Sequence, residues 1–194
     1  MLGALVAGMT LTSILLLVLT PGPTVPISGV RLQAVEQETD RAGKLFDTAR
    51  PWPWQAIVIH DSGSAVGSSL TIHQAHENLG RGGLGYHFVI NNGSLAEDGQ
   101  IDVGFRWQRQ YPGFYVEGKG SDWYNRNAIG ICLIGDADHQ AFTDAQYRQL
   151  VWLVKQLQQH YGIPRQAVHV CLGSDPSQPE ANFSYTLFSQ QIDP

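Results

Sequence analysis

The sequence is poor in charge, in cysteine and in basic runs. Charged residues make up 15% of the chain and hydrophobic residues 43%, which is typical of a folded domain and unlike a disordered chain. The formal net charge is −5 and no run of lysine or arginine occurs, which argues against a nucleic-acid partner. The two cysteines, Cys132 and Cys171, are too few for a disulfide scaffold. Cys132 lies in an apolar run, residues 128–134, and is predicted to be a buried small hydrophobe.

The amino-terminal segment also lacks charge. No lysine or arginine precedes Arg31, and Leu2–Leu19 is almost wholly apolar. A helix of about 18 residues rises roughly 27 Å, close to the thickness of a bilayer core. The segment is either a cleaved signal peptide or an uncleaved anchor, and the lack of a small-x-small cleavage pattern favours the anchor. Both alternatives predict export to the periplasmic side of the cytoplasmic membrane or to the cell envelope, with membrane association through this segment.

Composition divides the chain into three parts. Residues 1–20 form the hydrophobic signal or anchor segment, and residues 21–53 are a polar, proline-containing stalk or lead-in. Residues 54–194 form the predicted domain, which is long enough for a single hydrophobic core. Nothing in the sequence indicates an oligomeric state.

Strand and helix signals alternate along the predicted domain. Short apolar runs at residues 55–60, 86–90, 101–105, 128–134 and 168–172 are typical of strands, and the run at 128–134 is apolar enough for the middle of a sheet. Residues 70–79 suit a short helix. A longer helix is predicted after Thr143, which with Gln146 forms a capping box, and Gly162 ends it. We therefore predict an α/β fold, a mixed central β-sheet flanked by helices. The residues after 172 are predicted to be loop, apart from an apolar cluster at Phe183, Tyr185, Leu187 and Phe188.

Four segments in this order carry a family resemblance. They are Ile57-Val58-Ile59-His60, Gly85-Tyr86-His87-Phe88-Val89-Ile90, Asn125 with the apolar run Ala128–Gly135, and the late His169. Together they resemble the N-acetylmuramoyl-L-alanine amidases and the related peptidoglycan recognition proteins. The resemblance covers about two thirds of the chain, and it implies the amidase fold with peptidoglycan as substrate or ligand.

The resemblance also implies a zinc site and roles for particular residues. Amidases of this family hydrolyse the amide between the muramic acid lactyl group and L-alanine, with a zinc ion held by three protein ligands. His60 and His169 match the first two ligands, and Tyr86 matches the catalytic tyrosine. Three further residues are expected to bind substrate: Arg106, Tyr115 and Asn125. The histidine next to Tyr86, His87, and the helical His76 are expected to be structural. His73, His139 and His160 are expected at the surface.

The sequence departs from the family pattern at the third ligand. Pro179 and Phe183 fit the family frame, which puts Gln178 where a cysteine or aspartate is usual, and a glutamine amide is a poor zinc ligand. Pro176 replaces a lysine, and Tyr115 stands where many members have a histidine.

Three other residues are candidates for the third ligand. Cys171 lies two residues after His169, so a strand would put both side chains on one face. Asp175 and Asp61 are the other two. The competing interpretation makes Cys171 a buried hydrophobe and Asp175 a turn residue.

Two functions therefore remain open from the sequence. The domain is either a zinc amidase or a peptidoglycan-binding module that has lost the reaction. A purely structural envelope protein is a third, less supported alternative.

Overall fold

The computed structural model describes residues 40–48, 50–174 and 182–192. The chain divides into two compact units, Met1–Phe46 and Asp47–Pro194. In the first unit, residues 40–45 are helical, and Lys44 pairs with Asp40 one turn earlier at 2.7 Å. Within the described ranges no helix is long and apolar enough to cross a membrane. The apolar segment Leu2–Leu19 and most of the predicted stalk lie outside those ranges, so both remain predictions.

The second unit contains a five-stranded mixed sheet. Its strands are β1 (Ala56–Asp61), β2 (Phe88–Ile90), β3 (Ile101–Val103), β4 (Ala128–Leu133) and β5 (Val168–Cys171). The order across the sheet is β3-β2-β4-β1-β5. Strand β1 is parallel to β4 and β5, β2 is parallel to β4, and β3 runs antiparallel at one edge. The predicted mixed sheet and the central position of β4 are thus confirmed.

Helices connect and flank these strands. They are α1 (Ser69–Asn78), α2 (Phe105–Arg109), α3 (Ser121–Asn127), α4 (Asp144–Tyr161) and α5 (Tyr185–Gln191). The capping box predicted for α4 is present, because the Thr143 side chain accepts from the Gln146 backbone N–H and the Gln146 side chain accepts from the Thr143 N–H. Gly162 adopts the left-handed conformation predicted for its end, with φ of 67°.

The sheet separates two layers of buried side chains. Alternate strand residues on one face are large and fully buried, among them Ile57, Ile59 and Phe88. Trp107 contacts Phe88 at 4.7 Å between ring centroids and Tyr161 of α4 at 6.0 Å, so the long helix covers this face. The other face is built from smaller residues and from two tyrosines, and its cluster contains Ala56, Val58, Leu84, Tyr86, Val89, Tyr115, Ala128, Cys132 and Ile134.

Several boundaries differ from the sequence prediction by one or two residues, and three differences have an identifiable cause. Strand β2 begins at Phe88 rather than Tyr86, because the Gly85 backbone bonds to a helix side chain and a loop instead of to the sheet. Strand β3 ends at Val103, since Gly104 is the N-cap of α2. The predicted carboxyl-terminal loop is wrong over residues 185–191, where α5 forms behind a Ser184 cap and buries Phe188.

Candidate functional site

The two histidines proposed as metal ligands lie on one face of the sheet. His60 is next to last in β1, and its register partners are Cys132 in β4 and Cys171 in β5. His169 pairs with Val58, two residues before His60. Side chains two residues apart on a strand leave the same face, so all four strand-end side chains face the small-residue layer. From the sequence, Cys132 was predicted only to be a buried hydrophobe. The register of β4 against β1, which pairs Cys132 with His60, places it beside the site.

Tyr86 reaches His60 from the segment before β2. Its hydroxyl lies 3.4 Å from His60 Nδ1, and the two rings meet edge to face at 6.0 Å. Burial lowers the pKa of His60 and raises the pKa of Tyr86 well above its usual value. Both side chains are therefore neutral at neutral pH, and the phenol and the imidazole share one contact whose donor is set by the histidine tautomer.

Tyr115 occupies the space next to this pair. Its ring stacks on Tyr86 at 5.4 Å and meets the His60 ring edge-on at 5.9 Å. Its hydroxyl donates to the Ala128 carbonyl at 2.8 Å, and only 5% of the residue is exposed. A Cβ on Gly130 would collide with the Tyr115 ring. The substrate-binding role predicted for Tyr115 stays a prediction, and its ring is part of the core beside His60.

Arg106 and Asn125 bind loop backbone. The Arg106 guanidinium donates to the carbonyl groups of Leu84, Pro112 and Arg81 at 2.8–2.9 Å. The Asn125 amide accepts from the backbone N–H groups of residues 115 and 116 and donates to the carbonyl of residue 116. These bonds hold the loops around Tyr86 and Tyr115, and the predicted contact of Arg106 and Asn125 with substrate remains a prediction.

Asp61 joins two loops at the ends of the strands. One carboxylate oxygen accepts from the Ala137 N–H at 3.0 Å and the other from the Gly173 N–H at 3.0 Å. The loops after β4 and β5 are thereby tied to the end of β1. Asp138 strengthens this junction, because its carboxylate accepts from both the backbone and the hydroxyl of Ser174.

A metal centre needs three side-chain ligands directed at one point, and the described residues contain no such group. In residues 40–48, 50–174 and 182–192, no three histidine, cysteine, aspartate or glutamate side chains are placed to hold a metal ion. The assignment of His60 and His169, with Cys171 or Asp61, as zinc ligands therefore stays a prediction. Cys171 is an exposed free cysteine, contrary to the alternative that it is a buried hydrophobe. The candidate ligand Asp175 and the family-position Gln178 lie outside the described residues.

The remaining histidines mostly have the predicted structural or surface character. His87 is fully buried, accepts at Nδ1 from the Gly130 N–H at 2.8 Å and donates from Nε2 to the Tyr111 carbonyl at 3.0 Å. His76 is buried on α1, and His139 and His160 are exposed. His73 differs from its prediction, because it is half-buried and accepts from the Leu84 N–H at 3.2 Å.

The chain belongs to the N-acetylmuramoyl-L-alanine amidase family, whose pattern it matches over residues 50–181. It is 30% identical over 96 residues to an endolysin of Enterobacteria phage T3, an overlap of 48% of this chain and 56% of the phage protein. An endolysin of Escherichia phage T7 is 30% identical over 95 residues, 47% of this chain and 55% of its own length. The chain thus spans about half the length of the curated relatives it matches.

Solved structures confirm the fold. The amidase LysCS of Clostridium intestinale URNW superposes with a TM-score of 0.56 at 20% identity, covering 73% of this chain and 86% of its own. LysC of the same organism gives 0.56 at 21% identity, with 76% and 93% covered. At these identities the likeness shows the architecture, and it confirms the predicted amidase-like α/β fold.

Proposed function

We propose that this domain binds peptidoglycan and keeps the amidase architecture without the family's three-ligand zinc site. Family membership over residues 50–181 supports a peptidoglycan ligand. Family members are zinc-dependent when catalytic, and within residues 40–48, 50–174 and 182–192 the donor set does not meet that requirement. The function that the geometry supports best is therefore recognition of the polymer.

The donor set is the observation that carries this proposal. A catalytic zinc site needs three protein ligands and one open position. His60 and His169 share a face of the sheet, but within the described parts of the chain no third cysteine or carboxylate joins them. In sequence, the family's third position is Gln178, whose neutral amide does not replace a thiolate or carboxylate. Where zinc is bound, it activates a water and polarises the amide carbonyl.

An aromatic surface next to His169 supports binding of a sugar polymer. The His169 ring meets Tyr124 edge-on at 5.5 Å, and Tyr124 meets Trp123 at 5.1 Å. Trp123 is 47% exposed, so its indole is available to a ligand. Aromatic rings provide large apolar contact area with little conformational freedom to lose, which suits the apolar faces of sugar rings.

Co-sedimentation with insoluble peptidoglycan sacculi tests this proposal. We expect the purified domain to sediment with sacculi at physiological salt, and Trp123→Ala to weaken binding about tenfold, as for a central aromatic contact. Tyr185→Ala is the matched control, because Tyr185 is 42% exposed on α5. Failure of the unaltered domain to sediment would overturn the proposal, and equal losses in the two variants would remove the Trp123 surface from it.

A zinc-dependent amidase is the second candidate function. The observation in its favour is the retained contact between the Tyr86 hydroxyl and His60 at 3.4 Å. Refolding with excess zinc, followed by measurement of bound metal and of stem peptide released from sacculi, separates the two functions. We expect less than about a tenth of an equivalent of zinc and no released peptide. Stoichiometric zinc together with released peptide would establish the amidase.

Under the same proposal the domain acts outside the cytoplasmic membrane. Its ligand lies in the cell envelope, and the apolar segment Leu2–Leu19 has the length of a membrane anchor. Alkaline phosphatase fused after residue 53 should be active only if the segment exports it. An inactive fusion of normal abundance would contradict export.

A further inference from the structure

The backbone leading into Tyr86 is held by two histidines. The Leu84 N–H donates to His73 Nδ1 at 3.2 Å, and the Gly85 N–H donates to His76 Nδ1 at 2.9 Å. Both histidines belong to α1, so one helix face binds two consecutive amides of a segment that lies outside the sheet. Tyr86 follows directly, and its ring lies 5.7 Å from the His76 ring.

The carbonyl groups of the same segment have partners elsewhere. Arg106 Nε donates to the Leu84 carbonyl at 2.9 Å, and the Phe114 N–H donates to the Gly85 carbonyl at 3.0 Å. A Cβ on Gly85 would collide with the Phe114 carbonyl and lie 3.1 Å from His76 Nδ1. The missing side chain therefore lets the backbone approach both the loop and the imidazole. All four polar backbone groups are satisfied, and both amides depend on histidine.

An imidazole nitrogen accepts a hydrogen bond only while it carries no proton. His73 Nε2 lies 3.3 Å from the Glu77 carboxylate, which favours a proton on Nε2 and leaves Nδ1 as the acceptor. His76 Nε2 lies 3.2 Å from Arg81 Nη1. Because Nδ1 of His76 accepts from the Gly85 N–H, the neutral ring carries its proton on Nε2, which faces Arg81. A second proton, on Nδ1, would oppose the Gly85 N–H as well.

We propose that His73 and His76 are positioning residues that fix the Tyr86 segment through unprotonated Nδ1 atoms, and that protonation of His76 releases the Gly85 amide from α1 and weakens ligand binding. The part concerning ligand binding rests on the proposed function. The part concerning the segment rests on the two hydrogen bonds alone.

The charges around the two rings agree with this assignment. Burial lowers the pKa of His76, the nearby Arg81 and Arg106 lower it further, Glu117 raises it and His73 lowers it. His73 faces the Glu77 carboxylate and packs edge-on against Phe105 at 6.4 Å. Protonation of His76 in the folded domain therefore requires a pH below its ordinary titration range. When His76 is protonated, the hydrogen bond from the Gly85 N–H to Nδ1 is lost.

Amide exchange protection measured residue by residue tests the proposal. Between about pH 8 and about pH 5, we expect the protection factor of the Gly85 amide to fall fivefold to tenfold, roughly the effect of one lost hydrogen bond. The Gly99 amide donates to a backbone carbonyl at 2.8 Å and should not change. His76→Asn keeps an acceptor near the position of Nδ1 but does not titrate, so Gly85 should stay protected throughout. His76→Ala should leave Gly85 unprotected at every pH.

Binding to sacculi over the same pH range provides the second measurement. The unaltered domain should bind less tightly below about pH 6, whereas His76→Asn should keep its affinity. Constant Gly85 protection in the unaltered domain, or the same fall in His76→Asn, would overturn the proposal. If no form of the domain bound sacculi, the proposed function would fail, while the exchange data would still decide the role of the histidines. The Asn variant decides the question if His76→Ala does not fold.

Discussion

At the scale of single residues, Tyr115 determines what the space beside His60 contains. Gly113 and Gly130 leave room for its ring, since a Cβ on either would collide with it. The hydroxyl donates to the Ala128 carbonyl, which anchors the far end of the ring at the start of β4. A histidine, which the family resemblance places here, is shorter and would leave part of this volume open. Tyr115 thus fills part of the site with core packing.

Truncation of Tyr115 should be costly to stability. We expect Tyr115→Ala to lower the free energy of unfolding by about 3–5 kcal/mol, because it leaves a cavity between Tyr86 and Gly130. Tyr115→Phe should cost about 1 kcal/mol, the loss of one buried hydrogen bond. Urea denaturation measures both. Tyr111→Ala is the control, since Tyr111 is 49% exposed, and an equal loss in the control would contradict this packing role.

The positions of some site residues could be predicted from the sequence, whereas side-chain contacts between distant parts of the chain could not. His60 and His169 were expected at strand ends, and the two-residue period of a strand put His169 and Cys171 on one face, which the register supports. Side-chain bonds across the fold could not be read from local patterns. The bond from Asp61 to Gly173 spans 112 positions, and the imidazole acceptors for Leu84 and Gly85 depend on how α1 packs.

At the scale of elements, Gln146 couples the start of α4 to the sheet. Its side-chain nitrogen donates to the Ile90 carbonyl at 3.1 Å and to the Ile134 carbonyl at 2.8 Å. Its oxygen accepts from the Thr143 N–H in the capping box. The capping box predicted the helix start from sequence, but the same glutamine also satisfies carbonyl groups at the ends of β2 and β4. Gln146 is 1% exposed, so these bonds have no water to replace them.

Replacement of Gln146 by glutamate should destabilise the domain. The new carboxylate oxygen would face the carbonyl oxygens of Ile90 and Ile134 in a buried position, which should cost about 3 kcal/mol or more. Gln159→Glu is the control, because the same change at an exposed position of α4 should stay within about 0.5 kcal/mol. Midpoints and slopes of urea unfolding would report both changes. Similar stability of the two variants would show that Gln146 does not couple the helix to the sheet.

Element boundaries followed the sequence where local signals were strong and failed where packing decided. The apolar run of β4 and the capped amphipathic helix α4 were predicted because period and caps agreed. Helix α5 was missed, although Ser184 is a standard cap that accepts from the Leu187 N–H. Its seven residues are too few for a stable isolated helix. Burial of Phe188 stabilises it, and the apolar cluster in the sequence indicated burial there but not a helix.

At the scale of the whole molecule, stability depends on histidines that are buried without charge. Burial lowers the pKa of His60 and of His76, and it lowers the pKa of His87 to about 4. The unfolded chain binds protons at these histidines near pH 6.5, whereas the folded chain resists them. Between about pH 4 and about pH 6.5 the unfolded state therefore binds more protons than the folded state, and the free energy of unfolding rises with pH.

The free energy of unfolding should therefore be highest above about pH 6.5 and should fall as the pH approaches 4. His87 alone should contribute a loss of about 3 kcal/mol across this window, from its lowered pKa. Below about pH 4 its contribution should level off, since the folded state is then protonated as well. Urea unfolding at a series of pH values measures the slope.

Two variants assign this slope to buried imidazoles. His87→Asn retains an acceptor for the Gly130 N–H but does not titrate, so it should unfold more easily at neutral pH and yet show a shallower dependence on pH. His139→Asn changes a histidine whose side chain is 78% exposed and should keep the steep dependence. If His87→Asn kept the original slope, neutral burial of His87 would not be the cause. The acid sensitivity of the domain would then have to arise from His60, His76 and the other titrating groups.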